Sequence, residues 1–435
     1  MATRASFSAP ARAAGSLILG ALLLVSCKFD VKNPGRVMDS DLNAESSVKP
    51  LVTGMSSDFS VQYDGIAFLV GRASDEMAGS GSYSDTRLYR VGDIAFNYVD
   101  GVWEGISRAR WVAEDGLRRM QEDIPDYQFE GNILTARAYL FAGLSNRVLG
   151  ETFCHPVYDG GTALEPSDAF EKAVDHFTHA IDQAQQAGAS DIETAAYGGR
   201  AQAYVGLGDW TNAVADAGQV PTNYVYYAFY NTTSDREENE IYQETHNRPE
   251  MSAYNTYIAS LDPTDPRTPY TDCTLPGADC QQQQGADGST PHYQQEKYEG
   301  LDSNIPAVKG TEMRLIEAEA RLVQASDVPG AIASINEVRE FWSLDPIDPT
   351  GMTLQDAWIT LDHERLLTLW LEGRRLYDMR RWNEAGLDFL PAVQFIYGGT
   401  IVYPGDNPRD VCIPISQSEC LVNTNVKGTA ACGSP

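Results

Sequence analysis

The densest run of ionisable side chains reads Glu364-Arg365-Leu366-Leu367-Thr368-Leu369-Trp370-Leu371-Glu372-Gly373-Arg374-Arg375-Leu376-Tyr377-Asp378-Met379-Arg380-Arg381-Trp382. Read as one helix, it places Glu364 and Glu372 near a common face, where a glycosidase acid/base pair could sit. That chemistry needs a cleft and one carboxyl kept protonated. The arginines crowded around both carboxylates fit two-point ion pairs instead. Glu364, Arg365, Glu372, Gly373, Arg375, Asp378, Arg380, Arg381 and Trp382 are therefore read as a structural motif, and no residue is assigned to catalysis.

Other chemistries lack a partner. His363-Glu364 is not followed by a second His at metalloprotease spacing. Gly143-Leu144-Ser145 lacks the second glycine of a nucleophile elbow, and no phosphate loop is visible. His176 and His179, three apart on a helix, read more simply as a solvated pair than as metal ligands. Asp262, Asp265 and Asp272 lie in one loop without the spacing of a calcium site. No metal and no cofactor is expected.

Recognition chemistry is better supplied. Ten of the 22 tyrosines lie in residues 221–308, a stretch also rich in proline. Tyr224, Tyr226, Tyr227, Phe229 and Tyr230 cluster at its start. Aromatic rings stack on the apolar C–H faces of sugars, and tyrosine hydroxyls bond sugar hydroxyls. Tyr224, Tyr226, Tyr227 and Tyr230 are candidate ligand contacts, set against the plainer reading that such rings fill a core.

The elements around these residues are mainly helical. Val48, Leu51, Val52, Met55 and Phe59 recur at helical spacing, as do Ile133, Ala136, Leu140, Leu144 and Val148, with Gly150 as a stop. Ser167-Asp168 reads as a cap before the stripe Ala169, Ala173, Phe177 and Ala180. A helix over 195–207, a turn at Gly208-Asp209 and a helix through Ala213, Val214 and Ala217 follow. The same layout returns at Asp327, Ala331, Ile332 and Ile335. Small residues at matching positions resemble tetratricopeptide-type helix pairs. Helix resumes near Gly310, and the chain after Gly386 reads as loop.

The N-terminus carries Arg4 and Arg12, then the apolar run Leu17–Val25, which is shorter than the roughly 20 residues of a bilayer span. It closes on Leu24-Val25-Ser26-Cys27, a lipobox pattern, so residues 1–26 read as a signal peptide and Cys27 as the lipidated first residue. Lipid chains stabilise anchoring by about 0.8 kcal/mol per buried CH₂. Six cysteines remain, an even number that permits three disulfides; Cys273–Cys280 and a pair among the last three are the local choices. The formal charge of −29 excludes nucleic acid as a partner. It suits a neutral or cationic ligand.

The 364–382 run resembles the late helix of the SusD/RagB nutrient-uptake lipoproteins, ER-x-x-EL-x-x-EG-x-R-x-x-DLRRW, with Thr368 in place of Glu and Met379 in place of Leu. Further matches fall in the family's order. Ser74-Asp75-Glu76 resembles its early S-D-E, and Trp103–Arg110 its W…I…AN with Arg110 replacing Asn. Thr135–Phe141 resembles its A-x-RA helix, and Leu149-Gly150 its F-G end. Glu317-Ala318-Glu319-Ala320 resembles its AEA helix start, Ile335–Arg339 its IN-x-VR, and Ile413-Pro414-Ile415 with Glu419 its terminal PIP-x-x-E.

The resemblance implies an all-α fold of tetratricopeptide-like helical hairpins, with irregular loop-rich insertions forming a ligand face. It adds Tyr83 and Tyr89, in the early loop region where members place some ligand-facing aromatics. After the leader it implies one domain over 27–435: a lipidated linker (27–38), a helical part (39–220), a Tyr/Pro-rich insertion (221–308), a helical part (309–385) and a loop-rich end (386–435). It implies no enzymatic activity, but an outer-membrane lipoprotein exposed at the cell surface. Such a protein hands a glycan, or in some members a peptide, to a TonB-dependent, SusC/RagA-like transporter. A helical scaffold for a protein partner alone is the reading from another class.

Overall fold

The computed structural model describes residues 39–261, 265–396 and 408–432. The leader, Cys27, the linker 27–38 and Asp262 lie outside them. The chain divides into two units, residues 1–42 and 43–435, and the elements named here belong to the second. They are α1 (Val48–Ala73), α2 (Thr86–Val91), α3 (Asp100–Arg118), α4 (Ile133–Thr152), α5 (Pro166–Ala187), α6 (Ser190–Gly206), α7 (Trp210–Ala217), α8 (Glu240–Tyr242), α9 (Gly310–Ala325), α10 (Val328–Phe341), α11 (Leu354–Thr368), α12 (Arg375–Glu384), α13 (Pro391–Ile396) and α14 (Gln417–Val422). The fold is all-α and TPR-like, with only short strands. No described helix is long and apolar enough to cross a membrane.

Small residues set the helix spacing. Phe177 of α5 lies between Gly143 of α4 and Gly199 of α6. A Cβ at either glycine would come within 2.7 Å and 2.4 Å of its ring, closer than carbon atoms pack. Gly150 does not end its helix as expected: α4 runs on to Thr152, and the glycine instead gives close packing room to the Phe170 ring, 3.0 Å from where a Cβ would stand. The start of α5 also differs. The capping box is formed by Glu165 and Asp168, with Pro166 in the first turn.

The repeated layout is physical. Asp209 caps α7 by accepting from Asn212 N–H at 3.1 Å, and Asp327 caps α10 by accepting from Gly330 N–H at 3.0 Å. Where the two hairpins meet, Ala201, Ala213, Ala217 and Val220 pack on Met313 and Ile316 of α9 as a small second core.

The strands are β1 (Ala78–Gly79), which lies in the early loop, and β2 (Val225–Ala228), β3 (Met251–Ser252), β4 (Tyr270–Asp272), β5 (Tyr293–Gln295) and β6 (Ile305–Lys309) in and at the end of the insertion, paired antiparallel as β1–β3, β2–β6 and β4–β5. Three disulfides form. Cys273–Cys280 is the local pair expected and Cys420–Cys432 the pair among the last three, while Cys154–Cys412 ties the end of α4 to the C-terminal segment.

The run 364–382 is not one helix. α11 ends at Thr368 and α12 begins at Arg375, with Leu371 (φ 57°) and Gly373 (φ 72°) left-handed between them. Glycine takes that conformation without penalty; leucine does not. Surrounding groups hold the turn: Leu371 N–H donates to Glu76 at 2.7 Å, Tyr298 hydroxyl donates to Leu371 carbonyl at 3.0 Å, and Tyr63 hydroxyl donates to Glu372 carbonyl at 3.0 Å.

Candidate ligand-binding pocket

The motif residues form a buried ion-pair network around that turn. Arg375 grips Asp75 through two bonds of 2.6 Å and also reaches Asp362 at 2.6 Å. Arg365 grips Asp378 at 2.7 and 2.8 Å, Arg381 bridges Asp378 and Glu319, and Trp382 Nε1–H donates to Glu319 at 2.8 Å. Burial alone would raise the Asp378 carboxyl, but Arg365 and Arg381 hold it down at about 2. Glu364 sits between Arg267 (2.7 Å) and Arg339 (2.6 Å), and Glu372 between Lys297 (2.7 Å) and Lys309 (2.6 Å). Each carboxylate is thus clamped between two cations.

Glu372, Lys309 and Thr368 also line the inner end of a cavity of about 660 Å³. The β2–β6 ribbon supplies one wall. Its register slips between Tyr226 and Tyr227, and Val225 and Tyr227 line the cavity while Tyr226 does not. The end of α10 supplies an aromatic wall of Phe341 and Trp342, and Lys297, Glu299, Ser303 and Asn304 provide polar groups. Tyr227 is 37 % exposed and Phe341 42 %. Two buried polar atoms here, Trp342 Nε1 and Thr368 Oγ1, have no hydrogen-bond partner among the described residues. A group left so costs about 1–3 kcal/mol, which an acceptor brought by a ligand would relieve. Burial pushes the Lys309 ammonium down to about 8 against the pull of Glu372.

The six candidate tyrosines separate. Tyr227 lines the cavity. Tyr224 donates its hydroxyl to Asp191 carbonyl at 2.7 Å. Tyr226 is half-buried, and burial pushes its hydroxyl up to about 12. Tyr83 stands elsewhere, its hydroxyl on Glu244 at 3.2 Å and its ring under Arg248. Tyr89 and Tyr230 are corrections to the sequence reading. Tyr89 is 0 % exposed beneath Arg72, and Tyr230 is 6 % exposed with its hydroxyl on Ser60 carbonyl at 2.8 Å, so neither presents a ring to a ligand.

The sequence reading missed Trp342, Phe341 and Thr368. The available signal was the pair of bulky aromatics Phe341-Trp342, one residue beyond Ile335–Arg339. His176 bonds Glu114 at 3.3 Å and His179 stacks on Tyr139 at 5.0 Å. Asp265 is held by Arg267, and Asp272 accepts from Thr274.

Residues 222–428 match the SusD family. No curated protein matches the chain. Among solved structures, a SusD-like carbohydrate-binding protein from Bacteroides vulgatus is similar at a TM-score of 0.63 and 16 % identity, over 87 % of this chain and 96 % of that one. A SusD/RagB family protein from Bacteroides thetaiotaomicron is similar at 0.64 and 13 %, over 92 % and 100 %. A SusD-like carbohydrate-binding protein from Bacteroides fragilis is similar at 0.63 and 16 %, over 88 % and 99 %. The resemblance to SusD/RagB proteins thus holds in sequence over residues 222–428 and in fold over most of the chain.

Proposed function

We propose, from this SusD/RagB likeness, that the protein is a cell-surface lipoprotein of the outer membrane that binds a glycan between Tyr227 and Trp342 and delivers it to a TonB-dependent transporter. The observation that carries the reading is the pair of buried unpartnered groups, Trp342 Nε1 and Thr368 Oγ1, in an aromatic-walled cavity. A pyranose presents apolar C–H faces to rings and acceptors to such donors. Glu364 and Glu372 between their cations support binding over hydrolysis.

The test is calorimetry of the full-length chain in detergent against polysaccharides, oligosaccharides and short peptides. One glycan class should bind saturably without release of reducing ends. Tyr227→Ala, and separately Trp342→Phe, which removes only the N–H and the larger ring, should weaken binding about 10- to 100-fold, or ~1.4–2.7 kcal/mol. Unchanged affinity in both would remove the pocket from the function; a peptide as the sole ligand would keep uptake and change the nutrient.

Anchoring rests on Cys27, in the lipobox pattern. Cys27→Ala should shift the protein out of the outer-membrane fraction, since no described helix could replace the lipid. A variant still found there in full would overturn the anchor.

A further inference from the structure

A second cavity, of about 940 Å³, lies beside α12 and the α6–α7 turn and is distinct from the Tyr227–Trp342 pocket. Trp210, Trp358 and Tyr377 supply aromatic rings, and His155, Glu384 and Arg380 supply polar groups. Arg380 decides its chemistry. The neighbouring arginines of the motif each hold a carboxylate: Arg365 on Asp378, Arg374 on Glu151 and Glu312, Arg375 on Asp75 and Asp362, Arg381 on Glu319 and Asp378. Arg380 holds none among the described residues. It is 5 % exposed, its Nη2–H donates to Gly150 carbonyl at 2.7 Å, its guanidinium lies 5.1 Å from the Tyr377 ring centre, and its Nη1 is buried without a partner among the described residues. A buried guanidinium with no carboxylate in direct contact is costly even with Glu384 and Glu151 acting on it from further away, and a carboxylate brought by a ligand is the group that best answers it.

We infer that this cavity is a second carbohydrate site, selective for a sugar that bears a carboxylate, with the acid on Arg380 and the ring against Trp210. The half-buried Trp210 ring beside scattered polar groups suits a pyranose rimmed with hydroxyls. The formal charge of −29 opposes the approach of an anion, but salt screens that field beyond about 8–10 Å, whereas the contact with Arg380 is made inside the cavity.

The test is calorimetry of the full-length chain with glucuronate and galacturonate oligosaccharides, their methyl esters, neutral oligosaccharides and acetate, in low and physiological salt. One uronate should bind at least 10-fold more tightly than its ester, no more weakly as salt is raised. Arg380→Gln should abolish that preference. Trp210→Ala, half-buried and in none of the motif's ion pairs, should weaken the uronate about 10-fold, while Trp342→Phe should leave it unchanged. Equal binding of acid and ester, binding of acetate as tight as the uronate, loss of uronate binding in Trp342→Phe, or no uronate binding would each overturn the proposal. If Arg380→Gln fails to fold, Arg380→Lys and Trp210→Ala decide it: both unchanged in affinity would overturn it as well.

Discussion

Arg375→Met should destabilise the protein by about 3–5 kcal/mol, the range for removing one partner of a buried ion pair. Arg375 is 2 % exposed and holds Asp75 and Asp362, themselves 6 % and 0 % exposed. Methionine fills part of the volume but strands two carboxylates with no water to replace the guanidinium. The loss should depend on pH. Burial already pushes the Asp362 carboxyl up while Arg375 pulls it down, so without Arg375 it rises further. A carboxyl whose folded value lies above its unfolded value contributes stability at low pH that is lost as pH rises through the folded value. Urea unfolding should therefore show a larger deficit at pH 8 than at pH 5. Arg375→Lys should recover only part of it, since an ammonium cannot place separate donors on two carboxylates as the guanidinium fork does. A deficit under about 1 kcal/mol would show that the network does not hold the turn.

Glu76→Gln should stabilise the protein at alkaline pH. Glu76 is 1 % exposed; Oε1 accepts from Leu371 N–H, and Oε2 is buried without a partner among the described residues. Burial first, with the charge of Asp75 in the same sense, pushes the carboxyl up to about 8 despite the Leu371 N–H, Arg375 and Lys297. The folded state therefore prefers the protonated acid. Its contribution is complete below the ordinary carboxyl value and is lost as pH climbs through about 8. At about 1.4 kcal/mol per unit, the variant should gain up to ~4 kcal/mol on wild type near pH 8 and nothing near pH 4. Chemical denaturation of both proteins across that range reads the difference directly. Parallel stability curves would mean that the carboxyl is hydrated.

These two variants touch opposite ends of the chain. Asp75 and Glu76 belong to the early Ser74-Asp75-Glu76, while Arg375 and Leu371 belong to the late Glu/Arg run. As sequence they are two matches to one family; in space they are partners, with Asp75 on Arg375 and Glu76 on the Leu371 N–H. The same holds for Glu319 of the AEA segment, which meets Arg381, and for Arg339 of IN-x-VR, which meets Glu364. The ordered motifs are the halves of one buried charge network, and the ion-pair reading of the run was available from residue types because arginine forks and carboxylates have few other ways to be buried.

What the sequence determined by itself is what local physics carries. Apolar spacing, small-residue stripes and capping aspartates specified the helical hairpins and their repeat at Asp209 and Asp327, because these signals act within a turn or two of chain. What only the tertiary structure decided is where distant segments converge. Five residues in a row contain Tyr226, Tyr227 and Phe229, yet alternation along β2 puts Tyr227 in the pocket beside Val225 and leaves Tyr226 out of it, while the Tyr230 hydroxyl is bound to the Ser60 carbonyl. Trp342 joins Tyr227 from more than a hundred residues away, and Thr368 comes from the helix whose end the Glu76–Leu371 contact defines. Composition marks rings that can bind, but whether a ring faces a cavity or a core depends on strand register and on long-range packing that no short window of sequence contains.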